Sequence, residues 1–295
     1  MNKISIIIPT LNRQNNLLDT VNYLNLQSFK NFEIIIIDQN EPYNLNFYKY
    51  LKTKYKNLQI KILKQEKKNA SLARNFGAKY AQNEILLFLD DDVCIKNKLF
   101  LKNHIKNYSN SKILIVAGKV IDFPFKNKKN FIFMKNFYFF SLDYSKKIFL
   151  YGVGRSCNLS IRKDFFFHLG GMDKNFINGA HKEETDLLFR AKKNGIKVLF
   201  DPACHLIHLK AKTGGIRNLN YIKQIFFSMF GDIYFSLKHF SNSNLLLNII
   251  FFLRRFFLNK KSFNILKLFI NFLVFTPAML YSIYVCIMNY KRNEE

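Results

Sequence analysis

The chain has 295 residues, of which 49% are hydrophobic, so it can form one large domain with an appendage or two domains. Its formal net charge of +26 indicates an anionic partner: nucleic acid, an anionic membrane surface or a phosphorylated substrate. The basic residues are spread along the chain without a dense tract, which weakens the nucleic-acid interpretation. Four widely separated cysteines favour reduced cytoplasmic thiols and argue against a disulfide framework or a zinc ribbon.

The first 95 residues alternate between strand-like and helix-like patterns. Continuous apolar runs predict strands buried on both faces at "KISIIIPT", "FEIIIID" and "EILLFLDDD", and the alternating "LQIKILKQ" predicts another strand. The first helix has its apolar residues at helical spacing, at Leu17, Leu18, Val21 and Leu24. A second helix over residues 71–81 should have Leu72, Phe76 and Tyr80 on one side. This alternation is typical of an α/β fold with a parallel sheet.

The next part of the chain is less regular. "ILIVAGKVIDF" predicts a strand over residues 113–123. "EETDLLFRAKKNGIKVLFDP" predicts a helix and then a strand over residues 196–200, with Asn194-Gly195 as the C-terminal cap of the helix. The apolar side of that helix consists of Leu187, Leu188 and Ala191.

Three successive aspartates, Asp90, Asp91 and Asp92, follow a predicted buried strand. Two like charges about 4 Å apart repel by roughly 4 kcal/mol at an effective dielectric constant of 20, so this repulsion must be offset. A divalent cation offsets it directly, and oxygen ligands suit Mg²⁺ or Mn²⁺, whereas an exposed acidic turn needs no ion. Ligands of such sheets bind beyond the carboxyl ends of the strands, so Thr10, Asp38 and the aspartates should line one crevice.

Seven segments occur in an order that resembles family 2 glycosyltransferases, which are inverting, nucleotide-sugar-dependent enzymes with the GT-A fold. They are "SIIIPTLNR", "FEIIIIDQN", "ASLARNFGA", "LFLDDDV", "GRSCNLSIRKDFFFHLGGMD", "EETDL" and "HLIHLKAKTGG". The resemblance implies a Rossmann-like mixed α/β sheet with helices on both faces, as a catalytic domain over residues 1–215.

The resemblance also implies a nucleotide pocket. Its members would be Pro9, Thr10, Asn12, Arg13, Asp38, Arg74, Asp90 and Asp91. Asp38 would bind a uracil or thymine base, which favours a UDP- or dTDP-linked donor, although Gln39-Asn40 replace the acid that usually follows. Arg74 would approach the diphosphate or ribose, and Asp90 would hold ribose or the water shell of a metal. From the residues alone, Arg74 could instead be a solvated helix residue and Pro9–Arg13 an ordinary turn and helix cap.

A divalent cation, Mn²⁺ or Mg²⁺, is implied on Asp92 and His208, while His205 is expected to be structural. Glu184 takes the position of the catalytic base, where the family usually has Asp. The acceptor side would contain Gly154, Asn158, Glu183 and Asp186. From the residues alone, the acids at this helix start could simply complement its dipole, and either histidine could be a structural hydrogen-bonding residue.

Residues 216–295 are basic and apolar. Leu268–Met288 has no formal charge and is about long enough to span a bilayer, although Asn271 and Pro277 interrupt it. The apolar stretches are flanked or interrupted by Arg254-Arg255, Lys260-Lys261, Lys267 and Lys291-Arg292. This pattern predicts a helical membrane-associating segment, with a packed helical appendage as the alternative.

Together these features predict a hexosyl- or deoxyhexosyltransferase that acts on a glycan or lipid-linked acceptor in surface polysaccharide biosynthesis. It would work at the cytoplasmic face of a membrane, without a nucleic-acid partner. One alternative is a sugar-phosphate nucleotidyltransferase, but that class should carry a glycine-rich basic loop, which "PTLNRQNN" lacks. The other is a basic nucleic-acid-binding protein, which the clustered acids and diffuse basic residues disfavour.

Overall fold

The computed structural model of the chain describes residues 3–123, 146–178, 182–211, 213–215, 219–240, 252–253, 256–258 and 265–294, with side chains up to residue 289. Its strands are β1 (Ile4–Thr10), β2 (Phe32–Asp38), β3 (Gln59–Lys64), β4 (Ile85–Leu89), β5 (Val93–Cys94), β6 (Ile115–Asp122), β7 (Ile148–Leu150), β8 (Asn158–Arg162) and β9 (Val198–His208). Its helices are α1 (Gln14–Asn25), α2 (Leu45–Lys54), α3 (Ala70–Tyr80), α4 (Phe100–Asn107), α5 (Lys163–His168), α6 (Glu183–Lys193), α7 (Tyr221–His239) and α8 (Ile265–Glu294).

The strands of the described residues form one mixed sheet in the order β3-β2-β1-β4-β8-β6-β9-β5, with β7 also paired to β9. Strands β1 to β4 are parallel, as the alternation of strands and helices predicts. Strand β8 enters antiparallel to both β4 and β6, whereas β6 and β9 are again parallel. The mixed α/β sheet is therefore confirmed, and the purely parallel arrangement is limited to its first half.

Helices cover both faces of the sheet because the central strands are apolar on both sides. Ile6 and Ile8 of β1 join a buried cluster with Leu17 and Val21 of α1. Ile7, between them in the chain, joins a second buried cluster with residues of α3, α5 and α6. A continuous apolar run is the sequence pattern that such a strand requires.

Helix α3 packs on the sheet through small residues and not through the side that carries Leu72, Phe76 and Tyr80. Its buried positions are Ser71, Ala73, Arg74, Gly77 and Ala78. Leu72 and Phe76 are only partly buried, and Tyr80 is exposed. A Cβ atom on Gly77 would lie 2.5 Å from Ile7 Cγ2, so the helix lies too close to β1 for larger side chains. The predicted helix is present, but close approach, and not hydrophobicity, selects its inner face.

Strand β9 is longer than the strand predicted over residues 196–200, since it continues to His208. Its neighbour β6 changes register between Gly118 and Val120. A Cβ atom on Gly118 would lie 2.0 Å from the carbonyl oxygen of Cys204, so this irregularity requires glycine. The extension brings His208 opposite Val93, the residue after the three aspartates.

The chain divides into two compact units, residues 1–173 with 183–215 and residues 174–182 with 216–295. In the second unit, α7 and α8 pack against each other. The buried residues between them include Met229, Val274 and Ala278, and Phe256 joins the same cluster. The basic pairs Arg254-Arg255 and Lys260-Lys261 and the side chains of Lys291-Arg292 lie outside the described residues.

Helix α8 continues through Pro277, and two of its polar residues, Asn271 and Ser282, are buried, whereas Lys267 and Thr276 are exposed. Asn271 is buried and donates from Nδ2 to the carbonyl oxygen of Phe256 at 2.6 Å. Ser282 is also buried and donates to the carbonyl oxygen of Ala278 at 2.7 Å. The exposed apolar residues of the helix are Ile265, Leu266, Leu268, Phe269, Phe272, Leu273, Leu280, Ile283, Tyr284, Ile287 and Met288. In the described part of the chain, one helical stretch, Ile265–Asn289, has the length and hydropathy needed to cross a membrane, with a mean hydropathy of 1.8.

Candidate active site

The carboxyl ends of β1, β2 and β4 meet at one edge of the sheet. Thr10 and Asp38 are paired in register as the last residues of β1 and β2. The aspartates follow β4, and Thr10 Oγ1 donates to Asp91 Oδ2 at 2.8 Å. Pro9, also at the end of β1, is partly exposed beside them. The structure therefore brings these residues together, as the parallel strands predict.

The three aspartates face different partners. Asp91 is buried and accepts hydrogen bonds from Thr10 and from Arg13 Nη1, the latter at 3.0 Å. Burial raises the pKa of Asp91 to about 7, although the charge of Arg13 opposes that rise. Asp90 and Asp92 instead face His208 of β9. The middle carboxylate of the three thus points toward Thr10 and Arg13, away from the histidine that its two neighbours face.

Arg13 is held on several sides. Its Nε donates to the carbonyl oxygen of Thr213 at 3.0 Å, and Nη2 donates to that of Gly214 at 3.2 Å. Its Nη1 lies 3.3 Å from Asp92 Oδ2. A Cβ atom on Gly214, which has a φ of +78°, would lie 2.5 Å from Arg13 Cγ, so the loop requires glycine there. The predicted nucleotide contact of Arg13 stays a prediction. In the structure its guanidinium joins Asp91 and Asp92 to the carbonyl oxygens of Thr213 and Gly214.

Asp90, Asp92 and His208 form a possible divalent-cation site. Each offers one ligand atom, and these atoms lie within 4.8 Å of one another. His208 Nε2 is 3.3 Å from Asp92 Oδ1 and 3.7 Å from Asp90 Oδ2. Carboxylate oxygens with one imidazole nitrogen are a donor set that suits Mn²⁺ and tolerates Mg²⁺ less well. The residues therefore fit the predicted cation, and Asp90 joins the two predicted ligands.

The charges around His208 favour a positive charge at this position. Burial lowers the pKa of His208, but contacts with Asp122 and Asp92 outweigh this and raise it to about 9. Burial raises the pKa of Asp92, but His208 and Arg13 outweigh that and hold it well below its usual range. A cation bound between these groups would replace the proton of His208. His205 lies three residues earlier on β9, hence on the opposite side of the strand, and is not part of the cluster.

Asp122 and Arg155 belong to the site but were not singled out from the sequence. Arg155 Nη1 donates to Asp122 Oδ1 at 2.8 Å, and Arg155 Nη2 lies 3.3 Å from His208 Nδ1. Lys210 Nζ lies 3.0 Å from Asp122 Oδ2. Asp122 is the last residue of β6, as Asp38 is the last of β2, so its position at a strand end was the available signal.

Arg74 and Glu183 are both buried and form an ion pair through Arg74 Nη1. Arg74 Nη2 donates to Asp90 Oδ1 at 2.8 Å, and Ser71 Oγ donates to Glu183 Oε2 at 2.6 Å. Burial raises the pKa of Glu183, with Arg74 opposing the rise. The nucleotide contact of Arg74 and the acceptor contact of Glu183 stay predictions, and in the structure the two residues contact each other, Asp90 and Ser71.

Glu184 is placed differently from Glu183, although the two are adjacent at the start of α6. Its side chain is only partly buried, and none of the described residues forms an ion pair with it. Burial and the neighbouring charge of Glu183 raise its pKa to about 7. The charges of Arg74 and Arg155 also act on it, and these two arginines contact Asp90 and His208 respectively. A carboxylate with this pKa can accept a proton near neutral pH.

Asp38 is fully buried beneath Asn40. The backbone N–H of Asn40 donates to Asp38 Oδ1 at 2.9 Å, and its side-chain amide donates to the same oxygen. Asn40 Oδ1 accepts in turn from the backbone N–H of Asn12, which has a φ of +57°. Burial raises the pKa of Asp38, and the Asn40 hydrogen bonds oppose this. Asn12, Asp38 and Asn40 therefore form one network at the position predicted to bind the base.

Three residues predicted on the acceptor side pack into the protein. Asn158 is fully buried, with Nδ2 donating to the carbonyl oxygens of Cys204 at 2.8 Å and Lys119 at 3.1 Å. A Cβ atom on Gly154 would lie 2.9 Å from Leu188 Cδ1, which explains the glycine by packing. Asn158 thus joins β8 to β6 and β9, and Gly154 allows close packing against α6, so both residues have structural roles.

Asp186, the third of these residues, is buried and pairs with Arg190 one helical turn later, at 2.6 Å. Arg190 also donates to the carbonyl oxygens of Leu169 and Gly171. Asp186 therefore fixes the turn after α5, and its acceptor contact stays a prediction.

Comparison of the sequence with known proteins assigns the chain to a family. Residues 5–167, more than half of the chain, match the family model for Glycosyl transferase family 2. WfgD of Escherichia coli, a UDP-Glc:alpha-D-GlcNAc-diphosphoundecaprenol beta-1,3-glucosyltransferase, is 34% identical over 130 residues, which are 40% of this chain and 50% of the relative. TarP of Staphylococcus aureus (strain N315), a poly(ribitol-phosphate) beta-N-acetylglucosaminyltransferase, is 36% identical over 128 residues, 40% of this chain and 38% of the relative. The matches thus span half or less of these relatives.

Solved structures of low sequence identity share the fold. The mannosyltransferase PcManGT from Pyrobaculum calidifontis, solved with GDP-Man and Mn²⁺, is 10% identical with a TM-score of 0.60, covering 100% of this chain and 81% of that one. S. aureus TarS in complex with UDP-GlcNAc is 16% identical with a TM-score of 0.60, covering 88% of this chain and 74% of that one. The chain therefore belongs to glycosyl transferase family 2 and has the GT-A fold of these neighbours.

Proposed function

We propose that the protein is an inverting glycosyltransferase that moves a hexosyl or deoxyhexosyl group from a nucleotide diphosphate sugar to an acceptor hydroxyl. The observation that carries the proposal is that Arg74 contacts both Asp90 of a possible cation site and Glu183 at the start of α6, next to a separate carboxylate suited to act as base. The site consists of Asp90, Asp92 and His208, and the base is Glu184. Inversion needs these two parts on opposite sides of the sugar carbon. The family match favours this activity over a nucleotidyltransferase or a nucleic-acid-binding protein.

Asp90, Asp92 and His208 would hold Mn²⁺ or Mg²⁺, with the imidazole favouring Mn²⁺. The cation would neutralise the diphosphate as it leaves. The arrangement of the aspartates supports this division of work. Asp90 and Asp92 both face His208, whereas Asp91 faces Thr10 and Arg13, so the first two are the carboxylates placed to hold a cation together with the imidazole.

Glu184 would accept the proton of the attacking hydroxyl. Three features support it over its neighbour Glu183: partial exposure, a pKa raised to about 7, and the lack of an ion pair with any described residue. Glu183 is instead buried against Arg74 and holds the start of α6. A glutamate here reaches about one bond length further than the usual aspartate.

The nucleotide would bind where β1 and β2 end, over Pro9, Thr10, Asn12 and the network of Asn40 with Asp38. Asp38 is covered by Asn40, so the base would meet the Asn40 amide first or displace it. The side-chain oxygens of Asn40 and Asp38 can accept a hydrogen bond from the imide N–H of a pyrimidine base, which favours a UDP- or dTDP-linked donor.

The acceptor would be a glycan or a lipid-linked glycan of a cell-surface polysaccharide, reached at the cytoplasmic face of a membrane. Residues 1–215 would be the catalytic domain, and residues 216–295 would attach it to the membrane. The exposed apolar side of α8 supports this assignment, because its polar residues Asn271 and Ser282 face inward. At about 1.5 Å per residue, its apolar stretch is also about 37 Å long, enough for a hydrocarbon core of about 30 Å. The relative WfgD, whose acceptor is a diphosphoundecaprenol-linked sugar, is consistent with such an acceptor.

Calorimetry tests the proposal by measuring binding of UDP, dTDP, GDP and CDP, each with and without Mn²⁺. We expect one pyrimidine diphosphate to bind in a Mn²⁺-dependent manner, and Asp92→Ala to abolish the Mn²⁺ dependence. Asp19→Ala, an exposed aspartate on α1, serves as the matched control and should bind as the wild type does. If a folded sample binds none of the four, the transferase proposal fails. Binding of an oligonucleotide, or turnover of a nucleoside triphosphate with a sugar phosphate, would favour the alternatives.

A further inference from the structure

The side of His208 that faces away from the cation site contacts a carboxylate. His208 Nδ1 lies 3.5 Å from Asp122 Oδ1, while Nε2 faces Asp90 and Asp92. We propose that Asp122 is a positioning residue that fixes the His208 imidazole so that Nε2 presents its lone pair to a divalent cation. The inference rests on the proposed function, since it concerns the cation site described there, and it adds a residue that does not touch the cation.

The strand register places Asp122 beside His208. Asp122 ends β6, His208 ends β9, and the two are paired positions of adjacent parallel strands. The backbone N–H of Phe123 donates to the carbonyl oxygen of His208 at 3.0 Å, which continues the pairing one residue further. Paired residues of adjacent strands project from the same face of a sheet. The contact between the two side chains therefore follows from backbone pairing and not from a flexible loop.

The proton on the ring explains why a carboxylate is needed. A neutral histidine that binds a cation through Nε2 carries its proton on Nδ1, which then requires an acceptor. Arg155 Nη2 lies 3.3 Å from Nδ1, but a guanidinium only donates and cannot accept that proton. Asp122 Oδ1 can accept it. Asp122 therefore favours the ring form with a free Nε2, whereas Arg155 alone would favour the opposite form.

Asp122 is itself fixed from both sides. Arg155 Nη1 donates to Oδ1 at 2.8 Å, and Lys210 Nζ lies 3.0 Å from Oδ2. Asp122 and Arg155 are largely buried, whereas Lys210 is more exposed. The positively charged side chains of Arg155 and Lys210 limit rotation of the Asp122 carboxylate and hold its Oδ1 toward the imidazole. Partners of this kind beyond the direct ligands typically change metal affinity by about 10–100-fold when removed.

To test this, Mn²⁺ is titrated into the whole chain, with and without UDP. Electron paramagnetic resonance measures the concentration of free Mn²⁺. Asp122→Ala should weaken Mn²⁺ binding by about 10–100-fold. Asp122→Asn should weaken it less, because the amide oxygen can still accept from Nδ1. Asp164→Asn, an exposed aspartate on α5, makes a matched charge change and should leave the affinity unchanged.

A second readout follows the ligand itself. Pulsed resonance of bound Mn²⁺ should show coupling to the ¹⁴N of His208 in the wild type, none in His208→Ala and a reduced coupling in Asp122→Asn. Thermal unfolding checks that each variant is folded, and Asp122→Asn, which keeps the shape, carries the test if Asp122→Ala does not fold. Wild-type affinity and coupling in Asp122→Asn, with wild-type affinity in any folded Asp122→Ala, would overturn this inference alone. Absence of Mn²⁺ binding by the wild type would instead overturn the cation site of the proposed function.

Discussion

Arg74 and Glu183 form a buried ion pair that joins α3 to the first turn of α6. The same guanidinium donates to Asp90 Oδ1 at 2.8 Å. One arginine thus connects a carboxylate of the possible cation site with the residue that precedes Glu184. The relative position of the proposed cation site and the proposed base is therefore set by a buried charge network.

Replacing Arg74 should strongly destabilise the protein. Arg74→Leu leaves Glu183 buried without its countercharge, and breaking a buried pair in this way costs about 3–5 kcal/mol. Urea unfolding measures the change, with Lys79→Leu on the exposed side of α3 as the control, expected within about 0.5 kcal/mol of wild type. Adding Glu183→Leu to Arg74→Leu should recover part of the loss. Equal effects at Arg74 and Lys79 would show that the pair contributes little.

Glu184→Gln should remove the base while leaving the donor site intact. We expect kcat to fall by about 10²–10⁴-fold, because a glutamine amide cannot take up the proton of the attacking hydroxyl. The affinity for the nucleoside diphosphate should not change. Glu184→Asp should retain more activity, and Glu66→Gln, at an exposed position, should behave as wild type. A Glu184→Gln enzyme with wild-type kcat would rule out this residue as the base.

The pH dependence of kcat/KM should report the same carboxylate. Burial and Glu183 raise the pKa of Glu184 to about 7, and the base acts in its deprotonated form. At saturating Mn²⁺, kcat/KM should therefore rise about tenfold per pH unit below pH 7 and level off above it. Initial rates between pH 5.5 and 8.5 measure this profile. A flat profile over that range would contradict the assignment.

His104 predicts a loss of stability on mild acidification. It is fully buried, and Nε2 donates to Asn158 Oδ1 because the Asn158 amide hydrogens are used by two carbonyl oxygens. Burial lowers its pKa to about 4 from the ordinary histidine value of about 6.5, so the unfolded chain binds a proton more readily than the folded one between these values. Stability is thus fully present above pH 6.5 and falls as the pH drops toward 4, by up to about 3 kcal/mol from this group.

Urea unfolding at pH 7, 6 and 5 isolates this contribution when the wild type is compared with His104→Gln. The variant should be less stable at pH 7, since it loses hydrogen bonds to Asn158 and Ser160, but its stability should depend less on pH. Parallel curves for the two proteins would mean that His104 does not titrate in this range.

The exposed apolar side of α8 predicts binding to lipid vesicles. Replacing Phe269, Phe272 and Leu280 by Ser should reduce flotation with anionic vesicles at least about tenfold, because each buried large apolar side chain contributes about 1.5–3 kcal/mol. The matched control replaces three exposed apolar residues of the first compact unit, namely Leu26, Leu99 and Phe167. That control should float as the wild type does. Equal loss in both variants would argue against a specific role of α8.

Much of the sheet could be predicted because its strands carry strong local signals. The runs that form β1, β2 and β4 are apolar on both faces, so burial and strand type follow from the pattern alone. The end of a strand also predicts where its next polar residue lies, which is why Thr10 and Asp38 could be expected in one crevice. The order of motifs identified His208 as a candidate metal ligand. The sequence pattern did not predict that the strand of residues 196–200 continues to His208.

Other features depend on distant neighbours that periodicity does not reveal. The inner face of α3 is set by its close approach to Ile7, so its small residues, and not Leu72 or Phe76, are buried. Asp122 meets His208 only because β8 enters the sheet antiparallel and leaves β6 beside β9. That pairing joins residues 86 positions apart.

The contacts of Arg13 set a limit on how the first compact unit can be shortened at its C-terminal end. Two of its hydrogen bonds go to the carbonyl oxygens of Thr213 and Gly214, and Gly215 N–H donates to the carbonyl oxygen of Leu11 at 3.0 Å. Leu11 and Arg13 are therefore hydrogen-bonded to residues about 200 positions later in the chain. A truncated version that stops before Thr213 would leave this guanidinium short of acceptors beside the acidic turn. A shortened chain that keeps these contacts must therefore reach at least Gly215, even though β9, which ends at His208, is the last strand among the described residues.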